Sequence, residues 1–240
     1  MHRVFVPESS VNGNVIVIGG EQARHLSRSL RMKRGEKMTV VAGGKAFDCT
    51  LSDFSADTVT ATIVRPTEKS NEPPSRITLC QAVTKTDSDS IVRRAVECGA
   101  SEIVLFSSVN CVSRPGDGFA SKLERLNRIS REAAEQCGRD IIPPVSGPLS
   151  YEKALESSEG LVLFCYEGER ALHISDAIAE NRDRLDRISL FIGPEGGFTP
   201  EEVGQAARSG AVIVGLGPRI LRAETASSFA LAAVSCLTEK

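Results

Sequence analysis

The sequence predicts an α/β protein in two parts: a small β-rich N-terminal part and a larger part built on a mainly parallel sheet. Three observations carry this. About the first seventy residues read as short strands broken by turns, a polar proline-rich stretch follows, and beyond it apolar runs alternate with helical patterns.

In the first part, Val4–Val6, Val15–Ile18, Met38–Val41, Ala46–Thr50 and Thr58–Val64 are rich in β-formers. Ala42-Gly43-Gly44-Lys45 has hairpin-turn chemistry. One helical pattern, Gln22–Met32, interrupts the strands. Several short strands in so few residues predict a small barrel over residues 1–68. Arg65-Pro66-Thr67-Glu68-Lys69-Ser70-Asn71-Glu72-Pro73-Pro74 reads as a linker by composition, and the boundary is placed at 69–76.

Residues 77–240 change period. Apolar runs Ile77–Val83, Ile103–Phe106, Leu161–Tyr166, Ile188–Ile192 and Ala211–Leu216 have the continuous character of strands buried on both faces. Between them run helical stretches near Asp89–Cys98, Phe119–Cys137, Ala171–Glu180, Pro200–Ser209 and Thr225–Leu237. That alternation predicts a parallel sheet covered by helices.

Composition excludes several classes. No apolar run approaches the roughly 18–20 residues of a membrane span, and the N-terminus lacks the pattern of a signal peptide. The 7 cysteines have no C-x-x-C spacing, which predicts buried thiols in a reducing cytoplasm. His2, His25 and His173 are far apart, so no metal site is expected. The net charge of −2 hides a basic front: residues 1–45 carry eight Lys or Arg against three Asp or Glu. A basic end on a near-neutral chain suits a polyanion.

Two segments carry chemistry. Ile188–Ile192 runs into Gly193-Pro194-Glu195-Gly196-Gly197-Phe198, and Thr199-Pro200-Glu201-Glu202 then starts a helix with an N-cap, a proline at the first helical position and a capping box. A loop after a parallel strand is where open α/β sheets bind ligands, and its glycines admit close backbone approach. Ala211–Leu216 repeats the arrangement with Gly217-Pro218-Arg219-Ile220-Leu221-Arg222-Ala223-Glu224-Thr225-Ala226. Neither loop has a phosphate-gripping glycine pattern. Backbone groups reading an adenine ring, with Ile192, Leu216, Ile220 and Leu221 as apolar walls, fit better.

These segments, IGPEGGF and LGPRILRAETA, resemble the ribosomal RNA small-subunit methyltransferase E family, the 16S rRNA uracil-N3 methyltransferases of the SPOUT class. Glu132-Ala133-Ala134-Glu135-Gln136-Cys137-Gly138-Arg139 and His25-Leu26-Ser27-Arg28-Ser29-Leu30-Arg31 are similar to two further family segments. One segment departs: Lys85-Thr86-Asp87-Ser88 stands where the family carries a basic residue at the position of Ser88. The resemblance implies a PUA-like N-terminal barrel, a C-terminal domain with a deep trefoil knot, a homodimer and S-adenosylmethionine as cofactor. The cofactor residues it implies are Phe164, Ile192, Gly193, Pro194, Gly196, Gly197, Leu216, Gly217, Ile220, Leu221, Arg222, Thr225 and Ala226.

Loss of the uracil N3 proton calls for a carboxylate, and Glu195 is the first candidate with Glu224 second. Arg222 is placed to stabilise the uracil anion. RNA contacts are expected from Arg24, Arg28 and Arg31, spaced i, i+4, i+7, with His25 and Arg139. The same cofactor site also suits a ribose 2′-O methyltransferase, and an RNA-binding assembly factor with a vestigial pocket is a third reading.

Overall fold

The computed structural model describes residues 2–68, 70–113, 116 and 118–239, and the chain forms two compact units. The first comprises the described residues up to Glu72 together with Ala134–Ile141; the second holds Pro73–Ala133 and the described residues from Ile142 onward.

In the first unit β1 (His2–Val6), β2 (Val11–Asn12), β3 (Val15–Gly19), β4 (Lys37–Ala42), β5 (Lys45–Phe54) and β6 (Thr58–Pro66) form one sheet in the order β1-β4-β5-β6-β3-β2. The β1–β4 pair is parallel and the other pairs are antiparallel. Strand alternation turns Ile16 and Ile18 into a core with Val4, Leu26, Met38, Val40 and Leu51. Gly43 and Gly44 both hold positive φ, as a two-residue turn of type I′ between β4 and β5 requires. Two register shifts in β5 bend it and curl the sheet.

The helix expected over Gln22–Met32 is shorter and differently wound. α1 (Gly20–Arg24) runs into a π-helical turn, His25–Ser29, and Arg31 leaves it at φ 53°. The i, i+4, i+7 stripe assumed one straight α-helix, so Arg24, Arg28 and Arg31 do not form it, because the wider turn changes the angular step. All three stay exposed with His25, while Leu26 is buried.

The second unit has a parallel six-stranded sheet, order β12-β10-β11-β7-β8-β9. Its strands are β7 (Arg76–Ala82), β8 (Glu102–Ser107), β9 (Val145–Ser150), β10 (Leu161–Cys165), β11 (Arg187–Ile192) and β12 (Val212–Val214). The helices are α2 (Ser88–Glu97), α3 (Phe119–Cys137), α4 (Tyr151–Glu156), α5 (Ile174–Glu180), α6 (Pro200–Arg208) and α7 (Ala223–Thr238). The last turn of α3 falls in the first unit. α7 packs against α2, α5 and β11. Under the carboxyl ends of the central strands Phe106, Tyr151, Phe164, Phe191 and Phe198 form a mutually packed aromatic cluster. None of the described helices is long and apolar enough to cross a membrane.

Sequence patterning misses β9 and α4. Gly147 and Pro148 suppress the strand signal, yet β9 is an edge strand, where proline is tolerated. Gly147 sits at φ 105°, and a Cβ there would lie 2.2 Å from the Leu105 carbonyl oxygen.

The stretch 69–76 is not a free linker. Lys69 lies outside the described residues. Ser70 Oγ and the Asn71 N–H donate to Asp140 Oδ2 at 2.8 and 3.0 Å, and Asn71 Nδ2 donates to the Gly138 carbonyl at 2.8 Å. Glu72 accepts from Arg139 Nε and Nη2 and from the Asp140 N–H, and Arg76 already opens β7. Composition cannot register these bonds, because their partners lie more than sixty residues on. Arg139, expected on an RNA surface, is 4% exposed, and its guanidinium is taken up by Glu72. That expectation is corrected: a buried, bidentate pair is a structural contact.

Asp140 also pairs with Arg3, both side chains being buried. Burial opposes its charged form, but the Ser70 hydroxyl, the Asn71 N–H and the Arg3 guanidinium outweigh that and hold its pKa below the usual carboxylate value. A depressed folded-state pKa stabilises above the unfolded value of about 4 and is lost as pH falls through the folded value. Asp140→Asn is therefore expected to cost about 3 kcal/mol near neutrality in urea unfolding. The gap between variant and wild type should close as the pH drops below about 4.

Candidate cofactor pocket

The loops after β11 and β12 lie on either side of one cavity of about 520 Å³ at the carboxyl end of the sheet. That volume suits a nucleoside-sized ligand. Ile192, Gly193, Pro194, Gly196, Gly197, Leu216, Gly217, Ile220, Leu221, Arg222 and Ala226 line it, as do Glu195 and Glu224.

Two residues expected at the ligand do not line it. Phe164 is fully buried in the aromatic cluster, because strand alternation turns it into the core while Cys165, the next residue, faces the cavity. Burial pushes the Cys165 thiol far up, so it remains a neutral floor. Thr225 lies exposed in the first turn of α7 and outside the lining.

Other lining residues carried no motif. Thr84, Thr86 and Asp87 come from the turn after β7, and Tyr166 and Glu167 from the loop after β10. The stretch Lys85–Ser88, which departs from the family pattern, thus forms part of the rim. Thr84 Oγ1 donates to the Thr86 carbonyl at 2.6 Å, and Asp87 holds an unusual φ of 65°. Strand ends converge here from distant sequence positions, so only the sheet order could reveal these neighbours.

The glycine loop is built from its flanks. A turn closes with the Gly197 N–H donating to the Pro194 carbonyl at 3.0 Å. Thr199 Oγ1 accepts from the Glu202 N–H at 3.2 Å, and Glu202 Oε2 accepts from the Thr199 N–H at 2.8 Å, completing the expected capping box. Glu195, exposed at the rim, accepts the Lys85 N–H at 2.8 Å and so joins the β7 turn to the glycine loop. Across the cavity Arg170 Nη1 donates to the Gly217 carbonyl at 3.0 Å. Hydrogen bonds from the Ala171 and Leu172 N–H groups hold the Glu169 carboxylate below its usual pKa and shape the intervening loop.

The lining carries four carboxylates, Asp87, Glu167, Glu195 and Glu224, against the guanidinia of Arg219 and Arg222. A net acidic cavity with apolar walls favours a ligand bearing positive charge. Among the described residues no cluster of His, Cys, Asp and Glu could hold a metal ion.

Gly197 holds φ +69°, whereas Gly204 within α6 has ordinary helical backbone. Gly197→Ala is expected to lower stability by about 1–2 kcal/mol through left-handed strain. Gly204→Ala should be neutral or stabilising by up to about 1 kcal/mol. Urea unfolding of both variants checks the pair.

Residues 71–235 match the model of the RNA methyltransferase domain family. The chain is 31% identical over 230 residues to the ribosomal RNA small subunit methyltransferase E of Bacillus subtilis strain 168, covering 92% of this chain and 90% of that one. It is 33% identical to the enzyme of that name from Synechocystis, over 99% of this chain and 78% of the relative. Its fold matches the crystal structure of the Neisseria gonorrhoeae ribosomal RNA small subunit methyltransferase E bound to S-adenosyl methionine. That match has a TM-score of 0.87 and 33% identity, over 99% of this chain and 98% of that one. With both loop motifs gathered around one cavity and similarity along nearly the whole chain, this protein belongs to the ribosomal RNA small subunit methyltransferase E family.

Proposed function

We propose that the protein methylates N3 of a uridine in 16S ribosomal RNA, with S-adenosylmethionine held between the loops after β11 and β12. The observation that carries this reading is the convergence of the two family motifs on one acidic, apolar-walled cavity. The residues present fit that cofactor: Ile192, Leu216, Ile220 and Leu221 offer apolar contact to an adenine ring, and the glycine peptides allow close approach. The four carboxylates suit its cationic centre. When bound, S-adenosylmethionine supplies an electrophilic methyl group on a sulfonium.

The chain's part is to orient the acceptor and manage one proton. Glu195 accepts the proton of uracil N3, directly or through water. Its bond to the Lys85 N–H fixes the carboxylate at the rim. Arg222 lines the same cavity and donates to the uracil O2 or O4, stabilising the anion as the proton leaves. Glu224 is the second candidate for the base. RNA is captured by the exposed Arg24, His25, Arg28 and Arg31, with Lys33, Arg34 and Lys37 adjoining them.

The curled N-terminal sheet fits a PUA-like barrel. The strand order, with β12 on the far side of β10 from β11 and α7 packing back on β11, is compatible with a deep trefoil knot. A homodimer accounts for α7, which leaves the apolar side chains of Phe229 and Leu237 uncovered.

Mass spectrometry of nucleosides from treated small-subunit RNA should find N3-methyluridine; a 2′-O-methylated nucleoside in its place would overturn the acceptor assignment. Arg222→Ala should lower kcat by about a hundredfold or more. Glu195→Gln should slow the reaction and flatten its rise with pH, whereas full activity with an unchanged pH profile removes Glu195 as the base. Replacing Arg24, Arg28 and Arg31 together with Ala should weaken RNA binding and reduce its salt dependence by about two to three counterions, read from titrations at several salt concentrations.

A further inference from the structure

Gly196 and Gly197 carry no side chains to define their peptides, so contacts from neighbouring elements help to set their orientation. The turn after β8 does this. Asn110 Nδ2 donates to the Gly196 carbonyl and to the Gly197 carbonyl, each at 3.2 Å. One amide group with two N–H donors thus holds two consecutive peptide planes. Gly196 must lack a side chain for this approach, because a Cβ there would lie 2.9 Å from Asn110 Cβ.

Asn110 sits on a rigid perch. The Cys111 N–H donates to the Ser108 carbonyl at 3.1 Å, closing a tight turn around it. Glu202 is 4% exposed, and its Oε1 accepts from Ser108 Oγ at 2.8 Å and from the Val109 N–H at 3.1 Å. Its other oxygen caps α6. The turn and the glycine loop are therefore anchored to one buried carboxylate, and Asn110 spans the gap between them.

We propose that Asn110 is a positioning residue for the cofactor: it fixes the Gly196 and Gly197 peptides in the orientation that the ligand meets. Both glycines line the cavity, while Asn110 lies outside the lining and acts through them. The proposal rests on reading the cavity as the S-adenosylmethionine site. Losing Asn110 frees two peptide planes to rotate, and the ligand must then restrain them on binding. The effect falls on affinity, with turnover at saturating cofactor largely retained.

The test is calorimetric titration of S-adenosylmethionine into the full chain as wild type, Asn110→Ala, Asn110→Asp and Val109→Ala, with steady-state kinetics and circular dichroism on each. Asn110→Ala and the isosteric Asn110→Asp, which lacks the donors, should weaken binding about tenfold and raise KM alike. Their kcat should stay within about twofold of wild type, since uniform binding is what is lost. Val109→Ala, which changes an exposed side chain in the same turn, should match wild type. Wild-type affinity in both Asn110 variants overturns the proposal, as does a fall in kcat with affinity unchanged. Loss of native circular dichroism in both would assign Asn110 to folding and overturn it too. A wild type that binds no S-adenosylmethionine overturns the reading of the cavity, and the proposal with it; tight wild-type binding with unaltered variants overturns the proposal alone.

Discussion

Glu202 holds its carboxyl group at a position with almost no solvent, and its two oxygens take hydrogen bonds from Ser108, Val109 and Thr199. A polar group withdrawn from water is tolerated only when protein partners replace the water it has lost. Satisfying it forces the turn after β8, the start of α6 and the end of the glycine loop into one arrangement. Tyr151 adds a further tie by donating to the Glu202 carbonyl at 2.6 Å. The pocket wall inherits its shape from this point, since a run with three glycines in five positions has little conformational preference of its own.

Under that polar anchor lies the aromatic cluster. Phe198 is the first large residue after the glycines, and its ring centroid is 4.2 Å from that of Phe164. This packing pins the loop's exit while Ile192 pins its entry, so the peptides between span a fixed distance. The cavity is thus supported by apolar packing below and hydrogen bonds at the sides.

Much of this was legible along the chain. The capping box was readable because its partners are three residues apart, and the two loops because each joins a buried strand to a helix. Phe164 and Arg139 were misplaced for a common reason: each belongs to a conspicuous segment, and only its surroundings say whether it faces a ligand, a solvent surface or a core. Phe164 turned inward by strand alternation; Arg139 met Glu72, sixty-seven residues earlier. Asn110 escaped notice because an asparagine in a turn is ordinary, and what distinguishes it is the pair of carbonyls it meets.

Local sequence pattern by itself determined the α/β class, the change of architecture near residue 70, the two loops that line the cavity and the basic front, since these depend on neighbours within a few residues of one another. Tertiary structure alone decided that the turns after β7 and β10 join the same pocket, that the turn after β8 braces its glycine loop, and that a stretch composed like a linker is held at Asp140 and Gly138. It also decided that the arginine after α3 is buried. Each of these turns on contacts between residues dozens of positions apart, and strand order and burial, which no local pattern encodes, determine which of them form.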